Sequence, residues 1–169
     1  MNRPLAFNRI ARRRRLCYAG HKRQWRGKAM KMRRIIYTSD ASPLMTDEKV
    51  AAIAEKSRRK NGSMGLTGAL SFDKGRFLQL LEGPSEAVTA RFEAIRRDAR
   101  HQNIQIICDV PTNMRNFPNK PMALMLPGEV SEDMHEALSA LFDLADEPVA
   151  PSRQTLGDLL PRFSELDAA

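Results

Sequence analysis

Two side chains of this sequence could exchange hydrogen-bonding roles inside an apolar core: the phenol of Tyr37 and the amide of Gln79. Gln79 is central in Gly75-Arg76-Phe77-Leu78-Gln79-Leu80-Leu81-Glu82-Gly83. Strand alternation puts Phe77 and Leu81 on its own face and Leu78 and Leu80 on the other. A primary amide brings two donors and two acceptor lone pairs. Burying it unpartnered costs about 1–3 kcal/mol. The core must therefore hold a polar partner for it: a side chain, backbone or a ligand.

Tyr37 lies in a second apolar run, 34–39, on the same face as Ile35. In an antiparallel pairing of the two runs, Tyr37 and Gln79 become neighbours. Asn61 and Ser57 are the polar end of an otherwise apolar helical stripe. With Ile53, Leu70, Phe77 and Met122 around them, these groups suit a flat ligand with a polar edge. Taken alone, each has a structural reading: a strand tyrosine satisfied at the rim, a glutamine bonded to backbone, and a helix-terminal Asn61 serving as a C-cap.

The elements that must position these groups follow from periodicity and breakers. Residues 34–39 form a first strand, and Thr46 caps a helix with Asp47 and Glu48 in its first turn, which Asn61-Gly62 ends. Residues 65–72 and 75–83 form a hairpin around Asp73-Lys74-Gly75. Val88, Phe92 and Ile95 stripe a second helix that ends near Arg100-His101, residues 104–110 a fourth strand, and 122–126 a short fifth. The order β-α-β-β-α-β(-β) is that of an α+β, ferredoxin-like sandwich with two helices on one sheet face. Short helices at 131–144 and 155–163 are expected on the other face or against a second subunit. The expected organisation is an arm over 1–31, a ligand-binding domain over 32–127 and a helical extension over 128–169.

Charge separates arm from domain. Residues 1–34 hold 13 Lys or Arg and no acid, leaving 15 against 20 Asp or Glu, a net of −5, in residues 35–169. The basic arm reads as a disordered tail, or as an extension upstream of a start at Met30 or Met32; phosphate binding is the third alternative. No apolar stretch nears the roughly 20 residues of a membrane helix. Cys17 and Cys108 have no metal or redox spacing and fit a reducing cytoplasm. Phosphate-binding glycine loops, metalloprotease motifs and nucleophile elbows are absent.

Four segments in order carry a resemblance. Ile36-Tyr37-Thr38-Ser39, Lys60-Asn61 with Gly65-Leu66-Thr67-Gly68, Phe77 to Gly83, and Asp98-Ala99-Arg100-His101 are together similar to a BLUF domain, a blue-light sensor using flavin. The resemblance runs from about Arg34 to Leu126. It implies FAD, with FMN or riboflavin as alternatives, held noncovalently between the two helices. It makes Tyr37 the photoactive tyrosine, Gln79 the switching glutamine and Met122 its methionine neighbour. Asn61 would hold the ring's polar edge with Ser57 and Lys60 nearby. Ile53, Leu70 and Phe77 would enclose the ring, and Asp98, Arg100 and His101 would lie by the pyrimidine end and ribityl chain.

The sequence departs from the family pattern at three places, one being the arm before Met30, which has no counterpart in it. Lys120 stands where many members carry tryptophan, and Ala94 where several carry Arg or His, so Arg91 or Arg97 would have to supply that contact. The implied activity is sensing without catalysis, signalling to a downstream protein, with self-association expected. The alternatives are a flavin-binding oxidoreductase and a nucleic-acid-binding module using the basic arm.

Overall fold

A computed structural model describes residues 32–147 and Leu159. Its elements run β1 (Met32–Ala41), α1 (Asp47–Ser63), β2 (Thr67–Asp73), β3 (Arg76–Pro84), α2 (Ser85–Arg96), β4 (His101–Thr112), β5 (Ala123–Met125) and α3 (Glu132–Asp146). The five strands pair in the order β4-β1-β3-β2-β5. All neighbours are antiparallel except β5, which runs parallel to β2. The α+β, ferredoxin-like arrangement expected from the element order is present, with β1 and β3 central.

Period-2 alternation divides the sheet's side chains between two cores. On one face Ile35, Tyr37, Phe77 and Leu81 meet Val50 and Ala54 of α1 and Val88, Phe92 and Ile95 of α2. On the other, Ile36, Leu78 and Leu80 meet Leu138, Leu141 and Phe142 of α3. Each fully buried side chain of this size contributes about 1.5–3 kcal/mol relative to exposure. The described chain thus has three layers, with α3 as the expected cover on the second face. The other expected C-terminal helix and the arm lie outside the described residues, apart from Leu159, which packs against the α3-side core.

Helix α1 starts as its sequence dictates, with Thr46 Oγ1 accepting from the Lys49 N–H at 3.5 Å. Its buried residues, Val50, Ala54, Ser57 and Asn61, recur at helical spacing, so the polar end of the stripe is driven inward with the apolar end. Asn61-Gly62 does not stop this helix, which continues to Ser63. The left-handed residue is Gly65, φ +65°. A single Gly inside the last turn is tolerated when the next glycine can take the positive φ that ends the helix. Strand β4 is longer than its apolar stretch, because His101, Gln102 and Gln105 pair with β1 despite their polarity. An edge strand needs apolar residues only toward the core.

Gly68 fixes how closely β2 approaches β3. At φ +154°, a Cβ on it would lie 2.0 Å from the Leu80 carbonyl oxygen. Its N–H leaves the sheet and donates to Lys120 O at 3.0 Å. Gly68→Ala is therefore expected to destabilise the fold by at least about 2 kcal/mol. A lowered Tm in thermal melts would show this; an unchanged Tm would contradict the close approach.

Candidate functional site

Antiparallel register places Tyr37 of β1 directly opposite Gln79 of β3, on the face covered by α1 and α2. Tyr37 is 0% exposed and Gln79 3%. The Tyr37 Oη–H donates to Gln79 Oε1. On the far side of the amide, Nε2 faces Met122 Sδ at 3.7 Å. Thioether sulfur is a weak acceptor, so the oxygen end of Gln79 is well satisfied and its nitrogen end is not.

Two more polar atoms in this core have no hydrogen-bond partner. Asn61, fully buried, donates from Nδ2 to Pro121 O at 2.9 Å, but its Oδ1 accepts nothing. Arg91 of α2 donates from Nη2 to Ser57 Oγ of α1 at 3.0 Å, while its buried Nε has no partner. Helices α1 and α2 each pack on the sheet rather than closely along one another. Arg91 and Ser57 thus bridge two separated helices. Orphaned buried polar atoms are costly and uncommon.

Together these atoms offer one acceptor, Asn61 Oδ1, and donors at Gln79 Nε2 and Arg91 Nε. That set complements a flavin edge, which alternates carbonyl acceptors with a ring N–H. Leu70 and Phe77 are buried beside them and Ile53 is half-buried against the same core. The residues present therefore fit the cofactor.

A polar cluster borders this core. Asp98 pairs with Arg100, Nε to Oδ1 at 2.9 Å, and the Arg100 hydrogen bond holds its carboxyl down at about 2. His101 Nδ1 shares a hydrogen bond with Ser39 Oγ at 2.8 Å, and its ring lies 4.6 Å from the Phe77 ring. Burial depresses the imidazole to about 4, helped by Arg100 and Arg91 and opposed by Asp98. His101 is thus neutral at pH 7. Burial also pushes the Tyr37 phenol far above its ordinary value; Arg91 pulls it down and Asp98 pushes it further up. Tyr37 stays protonated and can act as a donor.

Of the residues singled out from the sequence, Tyr37, Gln79, Met122, Ser57, Asn61, Leu70 and Phe77 are brought together in the buried core, with Ile53 at its margin. Asp98, Arg100 and His101 gather at its edge. Lys60 is exposed on α1 and does not enter this core. Of the two arginines that could replace a side chain at Ala94, Arg97 is exposed and Arg91 is the one turned inward. The signal was present in the sequence: Arg91 falls within the buried stripe Val88, Phe92, Ile95 of α2.

Comparison with known proteins bears on the family and the fold. Residues 32–123 match the family model BLUF, described as sensors of blue-light using FAD. The blue light- and temperature-regulated antirepressor BluF of Escherichia coli (strain K12) is 40% identical over 116 residues, 64% of this chain and 27% of that protein. The dark-state structure of the BLUF protein BlrB superposes with a TM-score of 0.63 at 26% identity, over 81% of this chain and 97% of that one. A bacterial light-regulated adenylyl cyclase gives 0.60 at 31% identity, over 68% of this chain and 34% of that one. The chain spans 8% to 27% of the length of the curated relatives it matches.

The depressed imidazole gives a pH dependence with a definite sign. Between the ordinary histidine value of 6.5 and the folded value of about 4, the unfolded chain binds the proton and the folded one does not. Stability from His101 is therefore full above pH 6.5 and falls as pH drops toward 4, by about 3 kcal/mol in all. Urea unfolding at pH 7 and pH 5 should show the fall in the natural protein and a smaller one in His101→Gln. Equal slopes in the two would contradict the assignment.

Proposed function

The chain belongs to the BLUF family, the sensors of blue light using FAD, and we propose that its switch is the hydrogen bond from Tyr37 to Gln79. The observation that supports this is the pairing itself. A protonated phenol donates to the oxygen of an amide whose nitrogen end lacks a strong partner.

When bound, FAD supplies the absorption of blue light and an excited state with strong oxidising power. Asn61 Oδ1, Arg91 Nε and Gln79 Nε2 are the groups that would hold its polar edge, with Leu70 and Phe77 excluding water. Tyr37 is the electron and proton donor of the site. Its proton lies on the bond to Gln79 Oε1, the route along which it would leave and return. Gln79 can answer by rotation or tautomerism, so that a donor replaces the oxygen facing Tyr37 and the contact to Met122 changes. The site then has two hydrogen-bonded arrangements, and light biases the balance between them. With FAD bound, a changed hydrogen bond at its ring carbonyl would lower the excitation energy and give a small red shift.

In this reading the domain works as a sensor: hydrogen bonds rearrange and no substrate bond is broken. Likeness to an antirepressor and to light-regulated cyclases supports output through a partner protein or an attached domain. The unpatterned cysteines support a reducing, cytoplasmic setting, and among the described residues no helix is long and apolar enough to cross a membrane. A nucleic-acid module has little support, because Tyr37, Phe72, Phe77, Phe92, Phe117 and Phe142 are all buried rather than displayed for stacking.

Light-minus-dark absorption spectra test the switch. The natural protein should show a reversible red shift of the flavin bands. Tyr37→Phe and Gln79→Leu should retain flavin and lose the shift. A full shift in Tyr37→Phe would remove the phenol from the mechanism.

A further inference from the structure

Residues 113–122, between β4 and the start of β5, reach both cores of the sheet. Phe117, 1% exposed, is seated in the core under α3, beside a small cavity that Leu138 and Leu141 also line. Met122, also 1% exposed, is in the opposite core against Gln79. The side chains five residues apart therefore lie on opposite faces of the sheet. Whatever sets the path of this segment sets where the Met122 sulfur stands relative to the Gln79 amide.

The segment is tied down mainly through its backbone. Met114 O accepts from Arg34 Nη2 at 3.0 Å, and Pro121 O from Asn61 Nδ2 at 2.9 Å. Arg115 reaches back to Thr67 Oγ1 at 2.7 Å and Gly65 O at 2.8 Å. One tie is of another kind. The Phe117 N–H donates at 2.8 Å to Glu82 Oε1, a carboxylate whose side chain is 0% exposed. The other oxygen, Oε2, accepts from Arg34 Nε at 3.0 Å. Glu82 lies on β3 three residues after Gln79, so alternation puts it on the α3 face while Gln79 faces α1 and α2.

Burying a carboxylate with its partner is a poor way to gain stability, since apolar replacements are often as stable or more so. What such a group provides is geometry: two directed, charge-assisted bonds that admit one backbone position. The contact it serves is weak by comparison. A thioether sulfur 3.7 Å from an amide nitrogen has little directional hold of its own. It depends on how accurately the segment is placed.

We propose that Glu82 is a positioning residue for the light switch, fixing the 113–122 segment at Phe117 so that Met122 is held against Gln79. This rests on the reading of Tyr37 and Gln79 as the switch. Glu82 touches neither of them. It acts through the Phe117 amide and the five residues that follow.

The test uses the full chain loaded with FAD. Glu82→Met removes both bonds at similar volume; Glu82→Gln keeps an oxygen for the Phe117 N–H. In Glu82→Met the dark-recovery rate should change by about tenfold or more, the kinetic equivalent of one charge-assisted hydrogen bond. In Glu82→Gln it should stay within about twofold of the natural protein. A purely structural role would shift the Tm of both variants and leave recovery unchanged. A folded, flavin-bound Glu82→Met that recovers at the natural rate overturns the proposal.

Hydrogen exchange of the natural protein in the dark is independent of whether that variant folds. The Phe117 amide should exchange more slowly than those of Asn113 and Met114, and equal rates overturn the proposal. A natural protein that binds FAD but shows no light-induced shift would instead overturn the switch itself. A normal shift with unaltered recovery in Glu82→Met removes only the role of Glu82.

Discussion

A buried primary amide has to be satisfied on both ends, and in this fold the two ends of Gln79 are treated unequally. Its oxygen receives the Tyr37 hydroxyl, the stronger partner; its nitrogen is left with a methionine sulfur. A side chain with two near-equivalent orientations and one well-made bond is a natural two-state element. The rest of the domain can be understood as what keeps water away from it. Tyr37, Phe77 and Leu70 are sealed from solvent, and the imidazole of His101 is close enough to Phe77 to complete the wall.

The ferredoxin-like order serves this arrangement through its two central strands. β1 and β3 face one another residue by residue, so that a phenol and an amide 42 positions apart in sequence become direct neighbours. The helices that cover them stay apart, bridged by Arg91 and Ser57. A guanidinium in a core tends to lose its charge, and burial lowers the Arg91 value accordingly. It stays charged because an arginine starts from so high a value, and so it opposes the effect of burial on Tyr37. Asp98, already paired with Arg100, acts in the other direction. The phenol thus feels a cation and an anion of opposite effect.

Much of this was legible in the sequence because the signals were local. Alternation in 75–83 assigned Gln79 its face, and Val50, Ala54, Ser57 and Asn61 declared a buried stripe with a polar end. Other features depend on distances that no local pattern encodes. Gly68 looked like a strand residue, and its need for a missing Cβ appears only when Leu80 O lies against it. Arg91 was one of two candidates until helix phase turned Arg97 outward. Lys60 neighbours Asn61 in sequence yet points to solvent, because adjacent helix positions diverge by about 100°. Nothing in the run 75–83 marks Glu82 as buried; its burial follows from Arg34 and from a loop that returns across it.

The central claim is that the Gln79 amide itself changes state. Light-minus-dark infrared spectra of FAD-loaded protein, with the glutamine side-chain nitrogen isotopically labelled, test it most directly. The account predicts a label-sensitive amide band in the natural protein that is absent from Gln79→Leu. A full red shift of the flavin bands with no label-sensitive band would contradict it.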